Sequence, residues 1–392
     1  MDSLQYLEQR MAVIRESGRL RRIPTVSATT PEVILSEQTA LLFCSNNYLG
    51  IADHPLLIRA ATEAVKHYGC SSGASRLVSG NLPLYNQLED AVARWKHTET
   101  ALVFANGFAA NTGSIAALAG PGDLIFSDRL NHASIIDGAL ASGARLVRYP
   151  HTDYAALERR LATSVGNGLK LIISDGVFSM DGDYAAIDRL VALAEQYQAL
   201  LMIDDAHGGG ILGPEGRGTA AMYGVDDRVS IQMGTFGKAL GSSGAYVACS
   251  AAVREYLVNH ARSLIFSTAL PPAALAASLA AVTLVQSPEG DALRRRLSDN
   301  ITLLHSLLQH GGVTTTPGIT PIIPIMVGSE ERALSLSREL LACGVYVQAI
   351  RPPTVPVGTS RLRLTVMASH TVEQITQAAH ALIHCLSGCA PL

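Results

Sequence analysis

SIQMGTFGKALGSSGAYV, residues 230–247, holds two apolar runs and a loop between them. From Gly234 to Gly244 the loop carries six Gly or Ser residues and a single cation, Lys238. Short apolar runs bounded by glycines fit buried strands. A surface lysine ordinarily has charged company, but the neighbours here are small and apolar, so a solvated loop lysine fits poorly. An ammonium drawn out of water shifts toward the neutral amine, which is a nucleophile and a base.

The same pattern repeats on the N-terminal side. ALVFA (101–105), LIFSD (124–128), KLIISD (170–175) and ALLMIDD (199–205) are apolar runs. Between them lie helical stretches such as AANTGSIAALA (109–119) and IDRLVALAEQYQ (187–198). Strands that are apolar on both faces predict an α/β fold, a parallel sheet covered by helices. In such sheets ligands gather at the carboxyl ends of the strands. From about Gly290 the pattern changes to a helix, PIIPIMVG, a helix over 330–342, VYVQAI, RLRLTV and a last helix over 372–386, which predicts a smaller α+β unit. Leu4, Leu7, Met11 and Ile14 predict an amphipathic helix over residues 1 to about 22. The expected division is an N-terminal helix and arm (1–45), a large domain (46–285) and a small C-terminal domain (286–392).

Composition narrows the function. The chain has 392 residues, 48% hydrophobic and 16% charged, with a net charge of -3. That is a globular chain with no electrostatic grip on nucleic acid. Cys44, Cys70, Cys249, Cys343, Cys385 and Cys389 show no zinc-like spacing, so no metal is expected, and scattered thiols fit a reducing cytoplasm. The first residues carry acids and no apolar h-region, so no signal peptide is expected. The longest uncharged window, 101–122, is broken by Asn106, Gly107, Asn111, Gly113 and Pro121, so no membrane span is expected.

Two motifs point elsewhere and fail on context. Gly208 to Gly213 matches GxGxxG after a strand, but Pro214, Glu215, Gly216, Arg217 and Gly218 read as a loop where a dinucleotide site needs a helix. Gly69 to Gly73 matches GxSxG, and His207 to Gly210 matches HGGG. A nucleophile elbow needs a strand before it, and ATEAVKHY reads as a helix end.

The strand ends carry the chemistry. Asn106-Gly107-Phe108 turns from strand to helix and offers free amides to a phosphate, although an ordinary tight turn has the same residues. His132 follows LIFSD, and a lone loop histidine is more often structural. Ser179 lies in GVFSMDG after KLIISD. Asp204, Asp205 and His207 follow ALLMI, and a carboxylate there needs a cation or donors. Thr235 and Lys238 follow VSIQMG. A phosphate seat, imidazoles, a carboxylate and a lysine on one rim are what pyridoxal phosphate requires. Its phosphate takes amides and hydroxyls, its ring nitrogen an acid, its aldehyde an amine.

At these residues the chain resembles the α-oxoamine synthase family of fold-type I pyridoxal-phosphate enzymes. SNNYLG, SGASRLVSGN, FANGFAAN, NHASIIDG, DGVFSMDGD, IDDAHGGGILGPEGRG, TFGKALGSSGAYV, FSTALPP and RPPTVPVGTSRLRLT stand in the family's order. The resemblance implies a mainly parallel seven-stranded sheet between helices and a smaller C-terminal α+β domain. It implies that Lys238 bonds the cofactor aldehyde, Asp204 pairs with the ring nitrogen, His207 bonds the phenolic oxygen and His132 stacks on the ring. Gly107, Phe108 and Thr235 would hold the phosphate, with Ser179 nearby. Arg351 would hold the amino-acid carboxylate near Asn46, and Arg21 and Thr354 would contact the acyl substrate. Ser267 and Thr268 would reach the partner subunit's cofactor in a homodimer.

IRPPTVPVGTSRLRLT is most similar to the family member that joins L-alanine to a pimeloyl thioester, on coenzyme A or a carrier protein, on the route to biotin. Sister synthases that condense glycine with other acyl thioesters stay open, as does a catalytically silent subunit, although such subunits tend to lose the lysine. The chain departs from the family at Asp175, where glutamate is common, and at Ala239-Leu240, where relatives vary.

Overall fold

The computed structural model describes every residue except 1, 18, 36, 165, 167, 317 and 389–392, so Cys389 lies outside the described residues. Strands β1 (Glu32–Leu35) and β2 (Gln38–Leu42) come first. The main sheet follows: β3 (Thr100–Phe104), β4 (Leu124–Asp128), β5 (Arg145–Tyr149), β6 (Lys170–Asp175), β7 (Leu200–Asp204), β8 (Ile231–Thr235) and β9 (Ala245–Cys249). Their order across the sheet is β3-β9-β8-β7-β6-β4-β5. Neighbours run parallel except at β9, which is antiparallel to both β3 and β8. This is the helix-covered, mainly parallel sheet expected from the strand runs, with the seven strands that the resemblance implies.

The strands read as continuously apolar because both faces are buried. Ile125, Leu171, Ile173 and Met202 pack on one side with Ile115 and Ile135 of the helices Gly107–Leu118 and Ala133–Ser142. Phe126, Ile172, Leu201 and Ile203 pack on the other with Leu157, Leu190 and Val191 of Tyr154–Ala162 and Ile187–Gln196. Successive side chains alternate faces. Parallel strands linked by helices end on the same rim, which gathers Asp128, Asp175, Asp204 and Thr235.

A second sheet has the order β10-β13-β12, all antiparallel, from β10 (Ile322–Gly328), β12 (Gln348–Ile350) and β13 (Ser360–Thr365). Strand β11 (Val345–Tyr346) pairs in parallel with β2, so the N-terminal arm is stitched to the C-terminal region. Helices Glu330–Ala342 and Val372–Leu386 match the expected spans, the latter opened by a capping box of Thr371 and Gln374. The first helix is shorter than expected. It spans Ser3–Glu16, capped where the Ser17 N–H bonds the carbonyls of Val13 and Arg15, and its Leu4, Leu7 and Ile14 are exposed.

Residues 208–213 run through turns into the short 3-10 turn Pro214–Gly216, and helix Pro55–Tyr68 precedes the GxSxG match, so neither decoy has the context its chemistry needs. Among the described residues no helix is long and apolar enough to cross a membrane.

Candidate active site

A cavity of about 260 Å³ opens at the rim where β4, β6, β7 and β8 end. Gly107, Phe108, His132, Ser179, Asp204, His207, Thr235 and Lys238 all line it. They come from five segments that are distant in sequence, and the sheet order brings them together.

Lys238 is set by the fold of its own loop. The Phe236 N–H bonds the Gly244 carbonyl at 2.9 Å, Ser242 N–H bonds Phe236 O at 2.8 Å, and Gly241 N–H bonds Lys238 O at 3.0 Å. Gly244 has a φ of +107°, a conformation that L side chains rarely adopt. Burial pushes the Lys238 amine below its ordinary range; Asp204 and Asp175 oppose this, and Arg363 adds to it.

Asp204 is buried at the end of β7. Its Oδ2 accepts from Asn111 Nδ2 at 2.6 Å and its Oδ1 from Ala206 N–H at 3.0 Å. Asn111 Nδ2 also reaches Ser134 Oγ at 2.8 Å, and Ser134 Oγ lies 2.7 Å from His132 Nδ1. One chain of polar contacts thus links Asp204 to the imidazole on the cavity wall. Partial desolvation, aided by Lys238, lowers His132, with Asp204 pulling the other way.

His207 is buried, and its Nδ1 lies 2.7 Å from the Tyr48 hydroxyl. Burial, then Lys238 and Arg363, hold its imidazole well below the usual range, so it stays neutral. Tyr48 also lies 3.1 Å from Asn46 Oδ1, which accepts from Arg363 Nη1 at 3.3 Å. Asn46 therefore touches this network from behind rather than lining the cavity.

The phosphate seat survives a physical test. Helix Gly107–Leu118 starts on the cavity, with Asn106 Oδ1 capping the Ala109 N–H at 2.8 Å. A Cβ on Gly107 would come within 2.7 Å of Thr235 Cγ2, so only glycine allows this close approach. Thr235 Oγ1 is buried without a partner in the protein, an orphan that a phosphate oxygen would satisfy. Amides at a helix N-terminus beside an orphaned hydroxyl form an anion cradle, and a buried carboxylate and a lysine stand on the same wall. This donor set fits pyridoxal phosphate.

Three expected residues gather elsewhere. Arg21, Arg351 and Thr354 line a second cavity of about 370 Å³, with Arg21 Nη2 3.4 Å from Thr354 Oγ1. Arg351 Nη2 bonds the Leu20 carbonyl at 3.1 Å, and Arg19 grips Glu330 through two hydrogen bonds of 3.1 and 2.7 Å. Ser267 and Thr268 do not line the first cavity; Thr268 forms an isolated bridge with Ser75. Asn111, Ser134, Tyr48 and Arg363 belong to the site, yet sequence reasoning missed them. All four sat inside motifs already singled out, Tyr48 in SNNYLG, Asn111 in FANGFAAN, Ser134 in NHASIIDG and Arg363 in SRLRLT, but nothing local marked their roles.

A family model described as aminotransferase class I and II matches residues 38–382. The chain belongs to this family. Within it, the chain is 62% identical over 379 residues to an 8-amino-7-oxononanoate synthase of Trichlorobacter lovleyi, covering 97% of each chain. It is 57% identical to the Geobacter sulfurreducens protein of the same name, covering 94% of this chain and 95% of that one. A solved serine palmitoyltransferase of S. paucimobilis with bound PLP superposes with a TM-score of 0.93 at 30% identity, covering 99% of both chains. These class I and II relatives are α-oxoamine synthases, and so is this chain. It is a pyridoxal-phosphate enzyme.

Proposed function

We propose that the chain is an 8-amino-7-oxononanoate synthase, joining L-alanine to a pimeloyl thioester with loss of the thiol and of CO2. The observation that carries this reading is the single cavity in which a buried lysine with its amine pushed below the ordinary range, a donor-laden aspartate and an anion cradle share one wall. The high identity to synthases of that name supports the substrate assignment.

Pyridoxal phosphate supplies the electron sink that makes the Cα–H bond of the amino acid acidic. Gly107, Phe108 and Thr235 would hold its phosphate, Asp204 its ring nitrogen, and Lys238 its aldehyde carbon. His132 would cover the ring face, and Ser179 and His207 would bond its edge. With pyridoxal phosphate and alanine bound, the Lys238 amine would accept the Cα proton as general base and would later return a proton to the same carbon. The bond formed joins Cα to the thioester carbonyl carbon; the bonds broken are that carbon's bond to sulfur, which leaves as thiolate, and the bond from Cα to the carboxyl group, which leaves as CO2. Arg351 would orient the amino-acid carboxylate near Asn46, and Arg21 and Thr354 the acyl chain.

The working unit is a homodimer in the cytoplasm. Leu77, Val78 and Phe266 are large apolar side chains left exposed beside Ser267 and Thr268, on the surface expected to meet a partner. There Ser267 and Thr268 would reach the partner subunit's cofactor.

The test is mass spectrometry of the product from L-alanine labelled at its carboxyl carbon and pimeloyl-CoA or a pimeloyl carrier protein. The expected product retains the alanine nitrogen, Cα and methyl group, and the label leaves as CO2. Turnover with glycine and acetyl-CoA in place of alanine would assign a sister synthase instead.

A further inference from the structure

Asp175 ends β6 directly beside Asp204, which ends β7; the two are register partners in a parallel pair. Register partners send their side chains to the same face, and both line the cavity. Their surroundings differ. Asp204 has an N–H on each oxygen, from Asn111 and Ala206. Asp175 Oδ2 accepts the His132 backbone N–H at 3.1 Å, while its Oδ1 is buried and has no partner in the protein.

The groups facing Asp175 are Asp204 on β7, Asp128 on β4, Lys238 from the loop after β8 and the N–H of His132. Two carboxylates oppose one amine, and that amine is itself driven toward neutrality. Burial first, then Asp204, pushes the Asp175 carboxyl well above the usual carboxylate range. A buried carboxylate with a bare oxygen is costly, whereas a protonated carboxyl is a hydrogen-bond donor. The mechanism derived above leaves this group unused.

We propose that Asp175 points a carboxylic O–H from Oδ1 into the cavity and donates it to an anionic oxygen of bound pyridoxal phosphate or of the amino acid. The proposal rests on the cofactor reading of the cavity. It gives the site a donor that needs no second positive charge beside Lys238. It also explains why a carboxyl sits in register beside Asp204, where two anions would repel.

Asp175→Asn and Asp175→Ala in the purified holoenzyme separate the possibilities. The amide keeps an acceptor for the His132 N–H and a donor toward the cavity; alanine removes both. Infrared spectroscopy at neutral pH is expected to show a protonated-carboxyl band in the wild type that Asp175→Asn lacks. Asp175→Asn is expected to bind pyridoxal phosphate and L-alanine within about twofold of wild type. Asp175→Ala is expected to lose about tenfold in one of the two, since hydrogen bonds to charged groups carry about that much. Equilibrium dialysis of the cofactor reads a contact to the cofactor, and the absorbance change on adding alanine reads one to the amino acid.

No change in the carboxyl band, equal weakening in both variants, or no weakening in Asp175→Ala would overturn the proposal. Failure of the wild type to take up pyridoxal phosphate would sink the cofactor reading instead. The band would still report whether Asp175 carries a proton.

Discussion

Lys238 is the only lysine or arginine on the wall of the main cavity among the described residues. Burial and two nearby aspartates act on it in opposite senses, and burial wins. A buried amine with its affinity for a proton lowered suits the proposed role of general base. Lys238→Ala is expected to slow exchange of the alanine α-hydrogen about a thousandfold, in line with the loss of a positioned base. Pyridoxal phosphate should still bind through the cradle. Exchange followed by proton NMR, with cofactor content from absorbance, checks both. Asp204→Asn keeps the shape of the side chain but removes its charge. Cofactor should be retained while α-hydrogen exchange falls by about two orders of magnitude or more. Unchanged exchange would remove Asp204 from the chemistry.

Among elements, the helix Gly107–Leu118 and the end of β8 must approach closely for the cradle to exist. Gly107→Ala inserts a methyl group 2.7 Å from Thr235 Cγ2. The expected outcome is at least a tenfold weaker hold on pyridoxal phosphate with little change in melting temperature, measured by dialysis and calorimetry. His370 ties other elements together. Its Nε2 donates to Leu42 O at 3.1 Å, its Nδ1 accepts the Met367 N–H at 3.0 Å, and its ring stacks on Phe43.

Burial lowers the His370 imidazole to about 4, against a partial rise from Leu42. The folded value lies below the ordinary ~6.5. Between those values the unfolded chain binds a proton that the fold refuses, so stability is intact above about pH 6.5 and falls as pH drops toward 4. Melting temperature should decline more steeply over that window in the wild type than in His370→Asn.

The elements themselves were legible because strands buried on both faces are apolar throughout. Helix ends and strand-end residues followed from turn chemistry. The second layer of the site was not. Asn111 lies mid-helix in an apolar run, and Tyr48 meets Arg363 across 315 positions of chain. Such contacts are created by sheet order and by the docking of the C-terminal strands, which no local pattern encodes. The first helix ran short for a related reason. Beyond Ser17, Arg19 is drawn to Glu330 and Arg351 to the Leu20 carbonyl, so tertiary pairing takes residues that helical periodicity had claimed.

For the whole molecule, the proposed working unit is a pair of chains. Phe266 and Val78 are 69% and 78% exposed beside the segment assigned to the partner's site, and single chains rarely leave such patches bare. Phe266→Glu with Val78→Asp is expected to convert a dimer into monomers by sedimentation and to abolish turnover. A monomeric wild type with full activity would contradict the assembly. The claim that joins every scale is that this cavity holds pyridoxal phosphate on one particular amine. Borohydride reduction of the holoenzyme, followed by peptide mapping, tests it directly. The account predicts one pyridoxyl group per chain, on the peptide that contains Lys238; a pyridoxyl group on any other lysine, or on none, would contradict it.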